Sequence, residues 1–127
     1  MEIVPYNGTT LAFIGDAVMT LWVRERLVRA GYQKPNDLQK MTSHYVSAKA
    51  QAHYLNVLIE KNFFDEEELE IIKRGRNAQT KTIAKNADMI TYRMATGFEA
   101  IVGYYYLSGQ CGKLEKLWNE VVEQGEQ

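Results

Sequence analysis

Apolar side chains recur at helical spacing along most of this chain of 127 residues. Near the start, steps of three and four residues between them predict a first helix over roughly residues 10 to 30. Thr9 or Thr10 is a candidate to cap its start, and Gly31 marks its end. Its predicted apolar stripe consists of Leu11, Ile14, Val18, Leu21 and Trp22.

Further helices are predicted downstream, separated by turns. Pro35 opens a second helix, which we expect to run without interruption to Asn62. Asp65 and Glu68 then form the pattern of a capping box, which predicts the start of a short third helix rather than a metal site. Gly75 is predicted to end or interrupt that short helix.

The second half of the chain predicts two more helices, over about residues 86 to 107 and 112 to 124. The stretch 79–85 between the third helix and these two is weakly periodic, and we interpret it as a loop or a fragmentary helix. The tyrosines at 104–106 have strand propensity, but no partner strand is predicted for them. We therefore expect a single all-α domain over residues 1–127, built as a helical bundle.

Composition, cysteine count and net charge limit the kinds of protein to which this domain could belong. The chain is 46% apolar and 24% charged, which is typical of a folded globular protein. Cys111 is the only cysteine, so no intrachain disulfide forms; we expect a buried or semi-buried thiol and, with no evident leader, a cytoplasmic protein. The net charge is −1, so binding of nucleic acid would have to rest on a local cluster of basic residues.

Two acidic residues stand out because they lie in apolar helical segments. Asp16 follows Gly15, and Glu99 lies close to Gly97. Burying an unpaired carboxylate costs several kcal/mol, and small neighbours allow helices to approach closely. The two acids could therefore converge on a hard cation such as Mg²⁺. The alternative is that both carboxylates lie on exposed strips and are simply solvated.

Several separated motifs resemble the ribonuclease III family. Residues 11–17, LAFIGDA, resemble its signature helix, and residues 96–104, TGFEAIVGY, resemble its second acidic motif. The likeness is strongest to Mini-ribonuclease III, a short bacterial branch without a separate domain for binding double-stranded RNA. It extends over nearly the whole chain and includes residues 32–38 (YQKPNDL), 46–51 (VSAKAQ), 73–78 (KRGRNA) and 91–93 (Thr-Tyr-Arg).

This resemblance implies an all-helical endoribonuclease that cuts double-stranded RNA as a homodimer with Mg²⁺, for which Mn²⁺ can substitute. Asp16 and Glu99 match the family's acidic positions and are expected to be catalytic metal ligands, with Asp16 positioning or activating the attacking water. The resemblance to this branch also implies a substrate, the precursor of large-subunit (23S) ribosomal RNA, which would be processed at its ends. Phe13 matches a position at which the family inserts a hydrophobic side chain into the partner subunit. The other interpretation is that Phe13 is an ordinary aromatic residue of the core.

The chain departs from longer members of the family at two positions. Those proteins carry further acidic residues where this sequence has Ala12 and Thr96. The cation would then have fewer protein ligands here, a feature shared with Mini-ribonuclease III. These departures leave open a protein of the same fold that binds RNA without cutting it. A helical interaction module with no role in RNA is a further alternative.

A basic segment, residues 73–93, leads into the helix that carries Glu99. Only Asp88 opposes its charge, and its position suggests a surface that grips the RNA backbone beside the two acids. A solvated loop of ordinary charge is the alternative. The residues predicted to bind RNA are Lys73, Arg74, Arg76, Lys81, Lys85 and Arg93.

Overall fold

The computed structural model describes residues 6–78 and 88–125, and all of its regular structure in these ranges is helical. The helices, in chain order, are α1 (Gly8–Arg29), α2 (Pro35–Val46), α3 (Ala48–Glu60), α4 (Glu66–Arg76), α5 (Met89–Leu107) and α6 (Cys111–Gly125). The predicted all-α class is confirmed. The segment 79–85 and the start of the helix expected at residue 86 lie outside the described residues. Of the helices described, none is long and apolar enough to cross a membrane.

Helix α5 forms the centre of the bundle and packs against α1, α3 and α4. Buried residues lie on most of its circumference, including an unbroken run from Ala100 to Tyr105. A helix that is apolar nearly all round is buried in the core of its protein. The tyrosines at 104–106 are helical, as predicted. Glu99 is therefore held by the most enclosed helix of the fold.

Local signals fix several helix ends. Asp65 and Glu68 form the predicted capping box, in which each side chain accepts a hydrogen bond from the other's backbone N–H. Asn62 ends α3 with a φ of 56°, in the left-handed region that asparagine tolerates better than most residues. Helix α1 begins earlier than predicted, because the side chain of Asn7, and not Thr9 or Thr10, caps it.

Two predictions about helix continuity were wrong. The second helix does not run to Asn62 without interruption: Ser47 is extended, and its side chain caps a new helix, α3. Gly75 does not end the third helix, since α4 continues through it to Arg76. A Cβ at Gly75 would lie 2.6 Å from the Cβ of Ala100, so glycine serves close packing of α4 on α5.

The predicted apolar stripe of α1 was also rotated from the true one. Leu21, placed inward by periodicity, is 65% exposed. Helix α1 contacts α2, α4 and α5, so it has more than one packed side and a single stripe describes it poorly. The positions that are buried along its length at four-residue steps are Leu11, Gly15, Met19, Val23 and Leu27.

Helix α6 is attached by a buried acid and a pair of tryptophans. Glu68 is only 3% exposed and pairs with Lys113 of α6 at 2.7 Å. Trp118 stacks on Trp22 of α1 with ring centroids 4.5 Å apart. Cys111, expected to be at least partly buried, is exposed at the start of α6.

Candidate functional site

The positions of Asp16 and Glu99 are set by contact between the backbones of α1 and α5. A Cβ at Gly15 would overlap the carbonyl of Glu99, and a Cβ at Gly103 would overlap the carbonyl of Leu11. These two contacts show that the helices run antiparallel and touch without intervening side chains. Since Asp16 follows Gly15 directly, its side chain leaves α1 beside Glu99.

The two carboxyl groups interact and lie in different environments. Asp16 is exposed, whereas Glu99 is half-buried. Burial raises the pKa of Glu99 to about 8, and the neighbouring Asp16 carboxyl group contributes in the same direction. The alternative in which both carboxylates are simply solvated therefore does not hold for Glu99.

Sequence reasoning missed a third polar group at this site. Gln51 of α3 is only 2% exposed, and hydrogen bonding from its side-chain amide N–H lowers the pKa of Glu99, against the larger effect of burial. Its Nε2 donates to the carbonyl of Val46 at 3.0 Å. Its Oε1 is buried and finds no hydrogen-bond donor among the described residues. The sequence did contain a signal that Gln51 is buried, because it shares an apolar stripe with Tyr54, Leu55 and Leu58.

These groups fit a hard divalent cation. Asp16 and Glu99 form no salt bridge with any cationic side chain within the described ranges, although two adjacent carboxylates repel each other. A cation would offset that repulsion and the cost of burying the Glu99 carboxylate. In residues 6–78 and 88–125 no third His, Cys, Asp or Glu joins the pair. Most of the coordination sphere would then be left to water, as is usual for Mg²⁺.

Neither position at which longer family members carry an extra acid provides a carboxylate here. Ala12 is buried in the core. Thr96 donates its hydroxyl to the carbonyl of Tyr92 at 3.0 Å, within its own helix. The acidic part of the described site therefore consists of Asp16 and Glu99.

The predicted basic surface is described only in part. Lys73, Arg74 and Arg76 are exposed in the last turn of α4. Arg76 lies against α5, since a Cβ at Gly97 would meet its Cγ at 2.9 Å. Arg93 is exposed on α5, and Lys81 and Lys85 lie outside the described residues. The described residues thus place the end of α4 next to the turn of α5 that carries Glu99.

Phe13 is not a core aromatic. Its side chain is 77% exposed, and Leu21 and Val28 of the same helix are also mostly exposed. A groove of about 710 Å³ lies between α1 and α2 on the side of α1 that carries Asp16. Its lining includes Thr20, Arg24 and Val28. Phe13, Leu21 and Val28 form a row of exposed apolar positions, about two turns apart, along one side of α1.

The pKa of Glu99 predicts how stability depends on pH. A glutamate whose pKa rises on folding, from 4.5 to about 8, binds a proton in the native state that the unfolded state has lost. In the presence of a chelator, the free energy of unfolding should therefore fall as the pH rises from 4.5 to 8. We expect a fall of about 3 kcal/mol, which is less than the full pKa shift implies because Glu99 is only partly buried. Urea unfolding at several pH values measures this loss.

The matched control for this slope is the same titration of two variants. The free energy of unfolding of Glu99→Gln should be nearly independent of pH in this range, and at pH 8 it should be higher than that of the parent. Glu115→Gln, at an exposed position of α6, should keep the slope of the parent. A slope that survives in Glu99→Gln would show that another group is responsible.

Comparisons with known proteins agree on one family. The sequence profile of the family described as "Ribonuclease III domain" matches residues 9–110. A protein named Mini-ribonuclease 3 from Enterococcus faecalis is 50% identical over 113 residues, covering 89% of this chain and 86% of its own length. One of the same name from Staphylococcus aureus is 46% identical over 116 residues, covering 91% and 87%.

One solved structure has a similar fold. The crystal structure of a protein from Fusobacterium nucleatum is similar to this fold with a TM-score of 0.85 and 36% sequence identity. The similarity covers 95% of this chain and 97% of that one. Sequence and fold therefore agree over nearly the full length of both proteins.

Proposed function

This chain belongs to the ribonuclease III family, and on that premise we propose that it is an endoribonuclease that hydrolyses double-stranded RNA with a divalent cation. The observation that carries the proposal is the convergence of Asp16 and Glu99 across the contact between α1 and α5. Two carboxylates without a cationic partner among the described residues, one of them half-buried, are typical of a metal site and unusual in a purely structural role.

Asp16 and Glu99 would hold the cation, preferably Mg²⁺ with Mn²⁺ as a substitute. When bound, the cation would stabilise negative charge on the phosphate and make the attacking water more acidic. Asp16, exposed at the mouth of the site, would orient that water towards the phosphate. Glu99 would have to lose its proton before the cation binds, because its pKa in the free protein is about 8.

We propose that two chains act together, each cutting one strand of the RNA. The exposed apolar row on α1, which contains Phe13 at 77% exposure, supports a partner of the same kind. It lies on the helix that carries Asp16, so a second copy bound there would place two sites near each other. Sedimentation that finds only monomers at working concentrations would contradict this arrangement.

The natural substrate that we propose is the precursor of large-subunit (23S) ribosomal RNA, cut near its ends in the cytoplasm. The support is the likeness to proteins named Mini-ribonuclease 3 over most of the chain. A transcript that pairs the two precursor ends should be cut at a few fixed positions. Cleavage at random positions would favour a general activity on double-stranded RNA.

A second candidate function is binding of structured RNA without cleavage. The observation that favours it is that Ala12 and Thr96 stand where longer relatives have acids. Incubation of a long double-stranded RNA with the protein, with and without Mg²⁺, separates the two. Cleavage that depends on Mg²⁺ supports the enzyme, and tight binding with no cleavage in either Mg²⁺ or Mn²⁺ supports the second candidate.

The end of α4 leads to a prediction about RNA affinity. We expect Arg74→Ala with Arg76→Ala to weaken binding and to lower the slope of log affinity against log salt by about one unit for each phosphate that is no longer neutralised. Both arginines are exposed next to the turn of α5 that carries Glu99. Fluorescence anisotropy of labelled RNA, measured without divalent cation, reports binding separately from cleavage.

The control for this pair is Arg29→Ala. Arg29 lies at the far end of α1 and pairs with Glu25 at 2.9 Å. Its removal should leave the salt slope unchanged. An unchanged slope in the Arg74 and Arg76 double variant would remove this part of α4 from the RNA surface.

A further inference from the structure

The groove between α1 and α2 begins at the candidate site and continues away from it. Asp16 lines its α1 side, followed about one and two turns later by Thr20 and Arg24. Asp16 and Arg24 are separated by about 12 Å along the axis of α1. The groove has a volume of about 710 Å³, whereas a cation with six waters needs roughly 200 Å³. Most of the groove is therefore available to a larger ligand.

Arg24 is an exposed cation of this groove without an acidic partner. It forms no salt bridge in the part of the chain that the structure describes. The adjacent acid, Glu25, pairs instead with Arg29 at 2.9 Å. A guanidinium group is always charged and can bind two oxygens of one phosphate. The α1 side of the groove therefore offers a site for an anionic ligand.

Other side chains of the lining can donate hydrogen bonds. Thr20 lies on the α1 side, and Gln39 and Ser43 lie on the α2 side. Their side chains make no hydrogen bond among the described residues, whereas the hydroxyl groups of Thr96 and Ser108 donate to carbonyl groups of α5. Hydroxyl and amide donors beside an arginine are typical of contacts with phosphate and ribose oxygens.

One strand of RNA matches the order of these groups. A strand of a duplex carries a phosphate about every 3 Å along the duplex axis, so a groove of this length can follow a few nucleotides. If the phosphate to be cut lies at the cation beside Asp16, a phosphate further along the same strand would reach Arg24. Apart from these two residues, the described lining is uncharged, so nothing in it would compete with the cation for the phosphate between them.

We propose that the groove between α1 and α2 binds one RNA strand beside the cut, with Arg24 neutralising a phosphate a few nucleotides from the cleaved one. Thr20 and Ser43 donate hydrogen bonds to the backbone between these two phosphates. This inference rests on the proposed function, because it places the cut at Asp16. It assigns part of the RNA affinity to a residue outside the basic segment, residues 73–93.

The first test compares Arg24→Ala with Arg24→Lys by fluorescence anisotropy of a labelled duplex without divalent cation. We expect Arg24→Ala to weaken binding several-fold and to lower the slope of log affinity against log salt by about one unit. Arg24→Lys keeps the charge and should keep the slope. Arg29→Ala, on the same helix, is the matched control and should bind as the parent does. Equal slopes for Arg24→Ala and the parent would overturn the inference.

The second test locates the phosphate that Arg24 contacts. Cleavage by the parent in Mg²⁺ shows the position of the cut, and uncharged methylphosphonate groups then replace single phosphates on either side of it. One replacement within a few nucleotides of the cut should weaken binding by the parent and have no further effect on Arg24→Ala. If the two losses add at every position, Arg24 contacts no phosphate beside the cut, and the inference is wrong.

A second copy of the chain in the groove would give a different result. Arg24→Ala would then change the sedimentation of the protein without RNA, and weaker RNA binding would follow from altered association, which would overturn the inference. We expect the sedimentation of Arg24→Ala to equal that of the parent. Its melting temperature should also be retained, because an exposed arginine is replaced by a stronger helix former.

Failure of the proposed function is distinguishable from failure of this inference. In the first case the parent itself would not cut the duplex in Mg²⁺ or Mn²⁺, and the assignment of the groove would fall with it. In the second case the parent would cut, and Arg24→Ala would cut with the same dependence on protein concentration. The inference predicts instead that Arg24→Ala needs several-fold more protein for half-maximal single-turnover cleavage, with a much smaller effect on the maximal rate.

Discussion

Replacement of Asp16 by asparagine should reduce cleavage of double-stranded RNA about a thousandfold. The change keeps the shape of the side chain and removes its charge. If Asp16 helps to hold the cation, its replacement should cost about 4 kcal/mol of transition-state stabilisation, which is roughly a thousandfold in rate. Single-turnover cleavage of a long duplex in Mg²⁺, followed on a gel, measures the effect.

The same variant also separates a metal site from a structural acid. In the absence of metal and at pH 9, where Glu99 with its pKa of about 8 is charged, Asp16→Asn should melt at the parent temperature or higher, because one of two adjacent carboxyl charges has been removed. The matched control is Asp37→Asn, at an exposed position in the first turn of α2, which should cut at the parent rate. Full activity of Asp16→Asn, or a marked drop in its stability, would contradict the assignment.

The second large effect is expected on stability, from Gly15→Ala. Alanine is the better helix former by about 1 kcal/mol, so by propensity alone the variant should be more stable. A Cβ at this position would overlap the carbonyl of Glu99, and both groups belong to helix backbones that cannot rotate away. We expect a net destabilisation of about 3 kcal/mol and a melting temperature roughly 10 °C lower, measured by thermal and urea unfolding.

The control for this substitution is another helical glycine in the same protein. A Cβ at Gly112 of α6 meets nothing within 4 Å. Gly112→Ala should therefore keep or slightly raise the melting temperature, as propensity predicts. Equal stability of Gly15→Ala and the parent would show that α1 and α5 are not in backbone contact.

Much of the fold could be predicted from the sequence because its signals are local. The capping box at Asp65 and the helical spacing around residue 100 need no knowledge of neighbours. The break at Ser47 was missed because the apolar periodicity continues across it, and one extended residue is enough to start a new helix. The role of Gly75 was missed because it depends on Ala100, a contact with another helix.

The acidic pair could be recognised as unusual from the sequence, but its surroundings could not be predicted. That Asp16 and Glu99 meet depends on where Gly15 and Gly103 allow the backbones to touch. Periodicity indicates which face of a helix is buried, not which residues of another helix oppose it. Gln51 was missed for the same reason, since a glutamine in an apolar stripe has no assigned partner until α3 is placed beside α5.

The central position of α5 ties the candidate site to the cooperativity of the fold. Glu99 lies on the helix that three others enclose, and Asp16 lies on one of those three. The last helices to open should therefore be those that carry the two acids, while α6 can fray without separating them. Amino-acid changes at exposed positions of α6 should leave the candidate site intact, whereas a change between α1 and α5 would alter stability and chemistry together.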